Sequence, residues 1–248
     1  MIKIEAISKS FSDRDILKGI SVDFEPGKTS LIIGGSGSGK TVFMKCMVGL
    51  FEISQGRILY DERDFTKMDF RQKKTIRQEI GMVFQGGALF DSMTVEENVI
   101  FPLSMFAKMD ADEKRERANF CLKRVNLVNA NKQFPSELSG GMKKRVAIAR
   151  AIAMNPKYLF CDEPNSGLDP KTSIVIDNLI QEITKEYNIT TVINTHDMNS
   201  VIEIGDKIVF VYKGEKWWEG NSKEIFSTSN QELEEFIFAS KLLQKLKK

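Results

Sequence analysis

The stretch Gly34-Gly35-Ser36-Gly37-Ser38-Gly39-Lys40-Thr41 limits what this chain can fold into more than any other. It has the form G-x-x-x-x-G-K-[ST], a phosphate-binding loop. Ser30-Leu31-Ile32-Ile33 precedes it and reads as a buried strand. Val42 to Val48 follows and reads as a helix closing at Gly49. This strand–loop–helix order is the context the motif requires. Glycines let the backbone curl so that several N–H groups converge on one phosphate cluster. The start of the helix adds the positive end of its dipole. Lys40 supplies a mobile charge for the β- and γ-phosphates, and the Thr41 hydroxyl suits Mg²⁺. A Gly/Ser linker ending in a chance Lys-Thr would give the same letters in about 1% of chains this long, and the flanking elements lower that further. The chain is therefore expected to bind a nucleotide.

A length of 248 residues allows one large α/β domain or two small ones, with a real core. A net charge of +2 gives no reason to expect nucleic acid as a partner. Cys46, Cys121 and Cys161 form no C-x-x-C and lie in apolar surroundings. They are expected as reduced core residues of a cytoplasmic protein. The first residues show no apolar h-region, so no secretory signal is expected. No run of 18 apolar residues occurs, so work at a membrane is expected to go through a partner.

Ile2, Ile4 and Ala6 alternate and predict a strand over 1–11, with a second at Ile20 to Phe24. Two antiparallel strands before the phosphate loop suggest a small β-layer beside the nucleotide. Phe11 ends the first strand; stacking on adenine and plain core packing are equally compatible with its spacing. Phe70 to Arg77 is basic and helical in pattern, and a solvated face explains it best. Ile80 to Phe84 is a strand ending at Gln85. The loop Gly86-Gly87-Ala88-Leu89-Phe90 reads as either a hinge or a docking groove. Met93 to Phe106 is apolar but interrupted by Pro102, and Asp110 to Leu127 is an amphipathic helix. Ser139-Gly140-Gly141 opens a helix that runs from Lys143 to Met154, with Lys143, Lys144, Arg145 and Arg150 among its residues. Such a turn is a second N-terminal anion site, weak by itself because Ser and Gly are also ordinary caps.

Tyr158 to Glu163 is an apolar strand ending in two acids. In a phosphate-loop protein that strand is expected beside the loop. Asp162 would then hold Mg²⁺ directly or through water, and Glu163 would polarise the attacking water. Thr190 to Thr195 is a β-branched strand followed by His196, the only histidine. Ligands collect at the carboxyl ends of parallel strands, which favours a γ-phosphate contact for His196 over a structural role. A hairpin around Lys213-Gly214 follows. Leu233, Phe236, Ile237, Leu243 and Leu246 share a face of a final helix, which either folds back on its own domain or docks a partner. Together this is an α/β fold with a mainly parallel sheet, a small antiparallel β-subdomain and a helical insertion at about 86–155.

The set resembles the ATP-binding subunit of an ABC transporter over nearly the whole chain. By that resemblance Phe11 is the adenine-stacking aromatic, Gly34 to Thr41 the Walker A loop and Gln85 the Q-loop glutamine. Leu138 to Met142 becomes the signature motif, Asp162 the Walker B aspartate and Glu163 the catalytic base. Ser166 to Asp169 becomes the D-loop and His196 the switch histidine. The likeness implies Thr41, Gln85 and Asp162 around Mg²⁺, with Glu163, His196 and Gln85 serving hydrolysis of ATP. Phe84 to Val99, with Phe101-Pro102-Leu103 and the Met of Leu-Ser-Gly-Gly-Met, is further similar to the Mla/MCE phospholipid-trafficking ATPases. Asn165 and Phe11 depart from the more usual Thr or Ser and Tyr.

That likeness implies a cassette over 1–226 and a C-terminal helical extension over 227–248. The implied partners are a second copy packed head to tail, membrane permease subunits and an MCE-domain protein. In the dimer Ser139, Gly140 and Gly141 of one copy close the nucleotide held by the other. The implied location is peripheral, on the cytoplasmic face of the inner membrane, with phospholipid as cargo. Two alternatives are the ATPase of a small-solute importer and a soluble ABC ATPase.

Overall fold

The computed structural model describes residues 1–12 and 14–238. Its centre is a six-stranded sheet in the order β10-β9-β3-β8-β7-β6. The strands are β3 (Thr29–Ile33), β6 (Ile80–Val83), β7 (Tyr158–Asp162), β8 (Thr190–Asn194), β9 (Lys207–Tyr212) and β10 (Glu215–Gly220). All neighbours are parallel except β10, which pairs antiparallel with β9. Every residue of β3 and β8 is buried. Such strands read as continuous apolar or β-branched runs because helices and a second sheet cover both faces.

The two-residue period of a strand divides the core in two. Leu31, Leu159, Cys161, Ile193, Ile208 and Phe210 face one cluster; Ile32, Tyr158, Phe160, Val192, Val209 and Val211 face the other. The first cluster is closed by the helices α3 (Val95–Phe106), α4 (Ala111–Arg124), α5 (Gly140–Ile152), α6 (Pro170–Glu186) and α7 (Met198–Ile204). The second is closed by α1 (Lys40–Met47), α2 (Phe70–Gln78) and a small antiparallel sheet. That sheet has the order β2-β1-β4-β5, from β1 (Ile2–Phe11), β2 (Arg14–Phe24), β4 (Gln55–Tyr60) and β5 (Arg63–Asp64). Burying one Phe or Leu of these clusters contributes about 1.5–3 kcal/mol, so the layers hold by sum.

Two expectations change. The alternation Ile2, Ile4, Ala6 breaks at Ala6, which is exposed and left-handed at φ 46°, and Ile7 turns inward instead. A register shift between Ile4 and Ile7 marks a bulge there. Pro102 does not interrupt the apolar segment; α3 runs through it. Buried Asn98, one turn earlier, ties the start of α3 to the preceding loop, its amide bonding Phe90, Met93 and Thr94. The strand of Asp162 does end beside the phosphate loop, although β8 lies between it and β3. Parallel strands covered on both faces look alike in sequence, so no local pattern fixes their order.

All regular structure between Val83 and Tyr158 is helical, where the insertion was expected. The helix α8 (Gln231–Ile237) folds back on the chain, with Leu233 and Ile237 buried and Phe236 5.6 Å from the Phe210 ring. The expected continuation through Leu243 and Leu246 lies outside the described residues. The three cysteines are buried free thiols, and burial pushes Cys46 and Cys121 up to about 11. Among the described residues no helix is long and apolar enough to cross a membrane.

Candidate active site

The carboxyl ends of β3, β7 and β8 deliver the site. At β3 the chain turns through Gly34, Gly37 and Gly39, all at positive φ. Gly34 allows no side chain: a Cβ would run into the Val211 carbonyl and lie 2.8 Å from Ser38 Oγ. Helix α1 then starts with Gly39 as its cap, which has no side chain to bond the first N–H groups. Those donors are left for an anion. Ser38 Oγ is buried and has no hydrogen-bond partner among the described residues, a second group that fits a bound phosphate.

Lys40 Nζ folds back onto the carbonyls of Gly34, at 2.8 Å, and Gly35, at 3.1 Å. Burial lowers its pKa, and the charges of Glu163 and Asp162 oppose that shift. The lysine of the loop and the two acids of β7 therefore share one electrostatic site. Asp162 Oδ1 accepts from Asn194 Nδ2 at 3.0 Å, across the β7–β8 pair. Glu163 is left-handed at φ 50°, a conformation costing on the order of 1–3 kcal/mol for a residue with a Cβ. Its N–H donates to the Asn194 carbonyl at 3.0 Å. Its Oε2 lies 2.7 Å from Nδ1 of His196, whose ring stands exposed at the end of β8. Gln85 Nε2 reaches Ser166 Oγ at 3.3 Å, linking the two loops that follow β6 and β7. A cleft of about 660 Å³ runs past Glu163, Ser166, Leu168, His196 and Asp197.

Ser139 caps α5 by accepting from the Met142 N–H at 3.3 Å, with Gly140 and Gly141 beginning the helix. A Cβ at Gly141 would lie 2.7 Å from Thr172 and one at Gly140 3.4 Å from Leu168. Within one chain, this turn meets the start of α6 and not the phosphate loop. Phe11 is no core residue: it is 40% exposed, edge-on to Phe51 at 5.2 Å, with Lys9 Nζ 4.6 Å from its centroid.

Thr41, Gln85 and Asp162 offer a hydroxyl, an amide oxygen and a carboxylate. These hard oxygen donors suit Mg²⁺. Among the described residues no group of three His, Cys, Asp or Glu could hold a metal alone, so phosphate oxygens would complete the shell.

Four groups join the site that motif reading did not assign to it. Asn194 holds Asp162 and Glu163. Asp177, on α6, accepts from Asn165 and Ser200 at 2.7 Å each, and burial pushes its carboxyl up to about 6. The third is Lys144, whose Nζ donates to the Gln85 carbonyl. Arg150 donates to the carbonyls of Gly87 and Ala88, both at 2.7 Å. Helical phase could have found Lys144, since Ile148 and Ala151 on the same face are buried.

A family model described as "ABC transporter" matches residues 17–166. The methionine import ATP-binding protein MetN of Clostridium tetani is 38% identical, over 98% of this chain and 76% of its own length. The arginine transport ATP-binding protein ArtM of Bacillus subtilis is 38% identical, over 96% of this chain and 98% of its own. Among solved structures, the ATP-binding cassette MJ0796, a dimer in a post-hydrolysis state bound to ADP and Pi, superposes with a TM-score of 0.81 and 33% identity. It covers 90% of this chain and 99% of its own.

Proposed function

The chain belongs to the ABC transporter family as an ATP-binding subunit, and on that premise we propose that it powers import of a small solute of the amino-acid kind. Its reaction is ATP hydrolysis coupled to transport. Cassettes of this family dimerise and work with membrane permease subunits. One observation carries the solute reading: ATP-binding proteins named for methionine import and arginine transport match this chain over nearly its whole length.

In this reading Gly34 to Thr41 cradle the phosphates and Phe11 stacks on adenine. Lys40 exchanges the Gly34 and Gly35 carbonyls for phosphate oxygens, trading neutral acceptors for charged ones. Glu163 orients the attacking water and takes its proton, with His196 against the γ-phosphate. Mg²⁺, held by Thr41, Gln85 and Asp162 with the nucleotide, would neutralise charge on the phosphate oxygens. Ser139, Gly140 and Gly141 of a second copy close the open side of the γ-phosphate. Different affinities of the closed dimer for ATP and ADP then drive the permease through Gln85. The cassette occupies 1–226, its helical subdomain about 86–155 and an extension 227–248. It sits peripherally on the cytoplasmic face of the inner membrane.

A second reading, phospholipid movement with an MCE-domain partner, is favoured by Phe84 to Leu103 and by Met142 in the signature turn. Co-purification of the tagged subunit with its membrane partners, followed by reconstitution in vesicles, separates the two. ATP-dependent uptake of labelled methionine or arginine supports import. ATP-dependent phospholipid transfer without uptake replaces it with the second reading.

A further inference from the structure

Helix α5 carries a lysine on its buried face. Lys144 is 6% exposed, and its Nζ meets no carboxylate in an ion pair among the described residues. It donates to the carbonyl of Gln85 and lies 3.5 Å from the carbonyl of Glu163. A buried ammonium surrounded by neutral acceptors is a poor device for stability, since an apolar residue of equal volume often serves better. Its neighbours suggest another use. Glu163 is left-handed at φ 50°, so the direction of its carbonyl and that of its side chain are set together. Farther along α5, Arg150 grips the carbonyl of Ala88, left-handed at φ 46°, and that of Gly87. Two cations of one helix thus hold strained loop backbone. The same helix begins at Ser139-Gly140-Gly141.

We propose that Lys144 is a positioning residue for ATP hydrolysis. It ties the backbones of Gln85 and Glu163 to α5, so that Glu163 faces the water site only when α5 is in place. Arg150 fixes the next residues of the Gln85 loop to the same helix, and Lys144 alone of the two reaches Glu163. A shift of α5 at its nucleotide-facing end therefore moves the Gln85 loop and the hydrolytic carboxylate as one body. The proposal rests on the hydrolytic role given to Glu163 above.

The test compares the full-length protein with Lys144→Met, Lys144→Gln and Glu163→Gln for MgATP affinity, kcat and thermal midpoint. Lys144 bonds the backbone carbonyls of Gln85 and Glu163 and not the side chains that meet Mg²⁺ or water, so Lys144→Met is expected to bind MgATP within about threefold of wild type and to melt no lower, while kcat falls about tenfold or more. Lys144→Gln, which keeps a neutral donor, is expected to recover most of the loss. Wild-type kcat in Lys144→Met overturns the proposal. So does a kcat loss accompanied by an equal loss of ATP affinity or of melting temperature, which marks a packing role. If Lys144→Met does not fold, Lys144→Arg decides. Its planar fork cannot reproduce the point contact, so lowered kcat at unchanged affinity is expected and unchanged kcat overturns the proposal. An inactive Glu163→Gln beside a fully active Lys144→Met removes this proposal alone. A fully active Glu163→Gln removes the reading beneath it and the proposal together.

Discussion

Nδ1 of His196 lies 2.7 Å from Oε2 of Glu163, which joins the ends of two neighbouring parallel strands by one side-chain contact. The glutamate is mostly covered and the histidine mostly exposed, with side-chain exposures of 16% and 67%. The imidazole therefore stands between the carboxylate and the open cleft. In that place it can orient the carboxylate, and with both ring nitrogens protonated it could also donate from Nε2 to a phosphate.

Glu163→Gln keeps the shape of this contact and removes the base. Hydrolysis is expected to slow roughly 10²–10⁴-fold, the usual worth of a general base, with ATP affinity unchanged. His196→Ala should also lower kcat while leaving ATP bound. Single-turnover hydrolysis beside equilibrium nucleotide binding measures both; near-normal turnover in Glu163→Gln removes that residue from the role.

Lys40 now bonds two carbonyls of its own loop. Lys40→Ala cannot give those bonds to phosphate. Charge-assisted hydrogen bonds contribute about 1.5–3 kcal/mol, so nucleotide affinity should drop about 10- to 100-fold with little change in melting temperature. Titration with a fluorescent ATP analogue checks this, and unchanged affinity would count against the phosphate contact.

Gly34 and Gly35 are adjacent but not equivalent. A Cβ at Gly34 collides with Val211 and Ser38 at a φ of 150°, whereas one at Gly35 meets nothing within 4 Å. Gly34→Ala is expected to destabilise the protein by several kcal/mol, about the size of other overpacking and backbone-strain effects. Gly35→Ala should leave stability within about 0.5 kcal/mol, as for an open surface site. Urea unfolding of the two variants side by side decides it.

Asp177 gives a pH dependence of definite sign. Burial raises its carboxyl to about 6 in the folded chain, above the ordinary 3.8. A raised carboxyl binds more protons folded than unfolded, so its contribution is fully present below pH 3.8 and is lost as pH rises towards 6. Asp177→Asn keeps an acceptor for Asn165 and removes the buried charge. It should gain stability over wild type, by up to about 2–3 kcal/mol at pH 7.5 and by less at pH 4.5. Denaturant unfolding at both pH values tests this; a gain equal at both would show that the charge is not what matters.

Much of this molecule is local in origin. Gly34 to Thr41 announces itself because phosphate binding needs glycine at fixed offsets. The acids after β7 and the histidine after β8 were readable because each ends an apolar run. The bulge at Ala6 was not, since it depends on pairing with both β2 and β4. Nor was the passage of α3 through Pro102, since a proline in an apolar stretch reads locally as a break. Helical phase puts Lys144 on a buried face, but its two carbonyl partners, like the partners of Asp177, come from distant parts of the chain.

By itself the sequence determined the fold class, and it pointed to the nucleotide loop and to the groups proposed to serve it, because each is a short-range pattern imposed by backbone geometry or by one ligand. Tertiary structure decided the strand order that puts β8 between β3 and β7. It also decided the contact of His196 with Glu163 and the burial of Lys144 against two carbonyls. Those relations join residues distant in the chain. They follow from which strands pair and which helix faces are covered, choices settled by packing the whole core rather than by any local stretch.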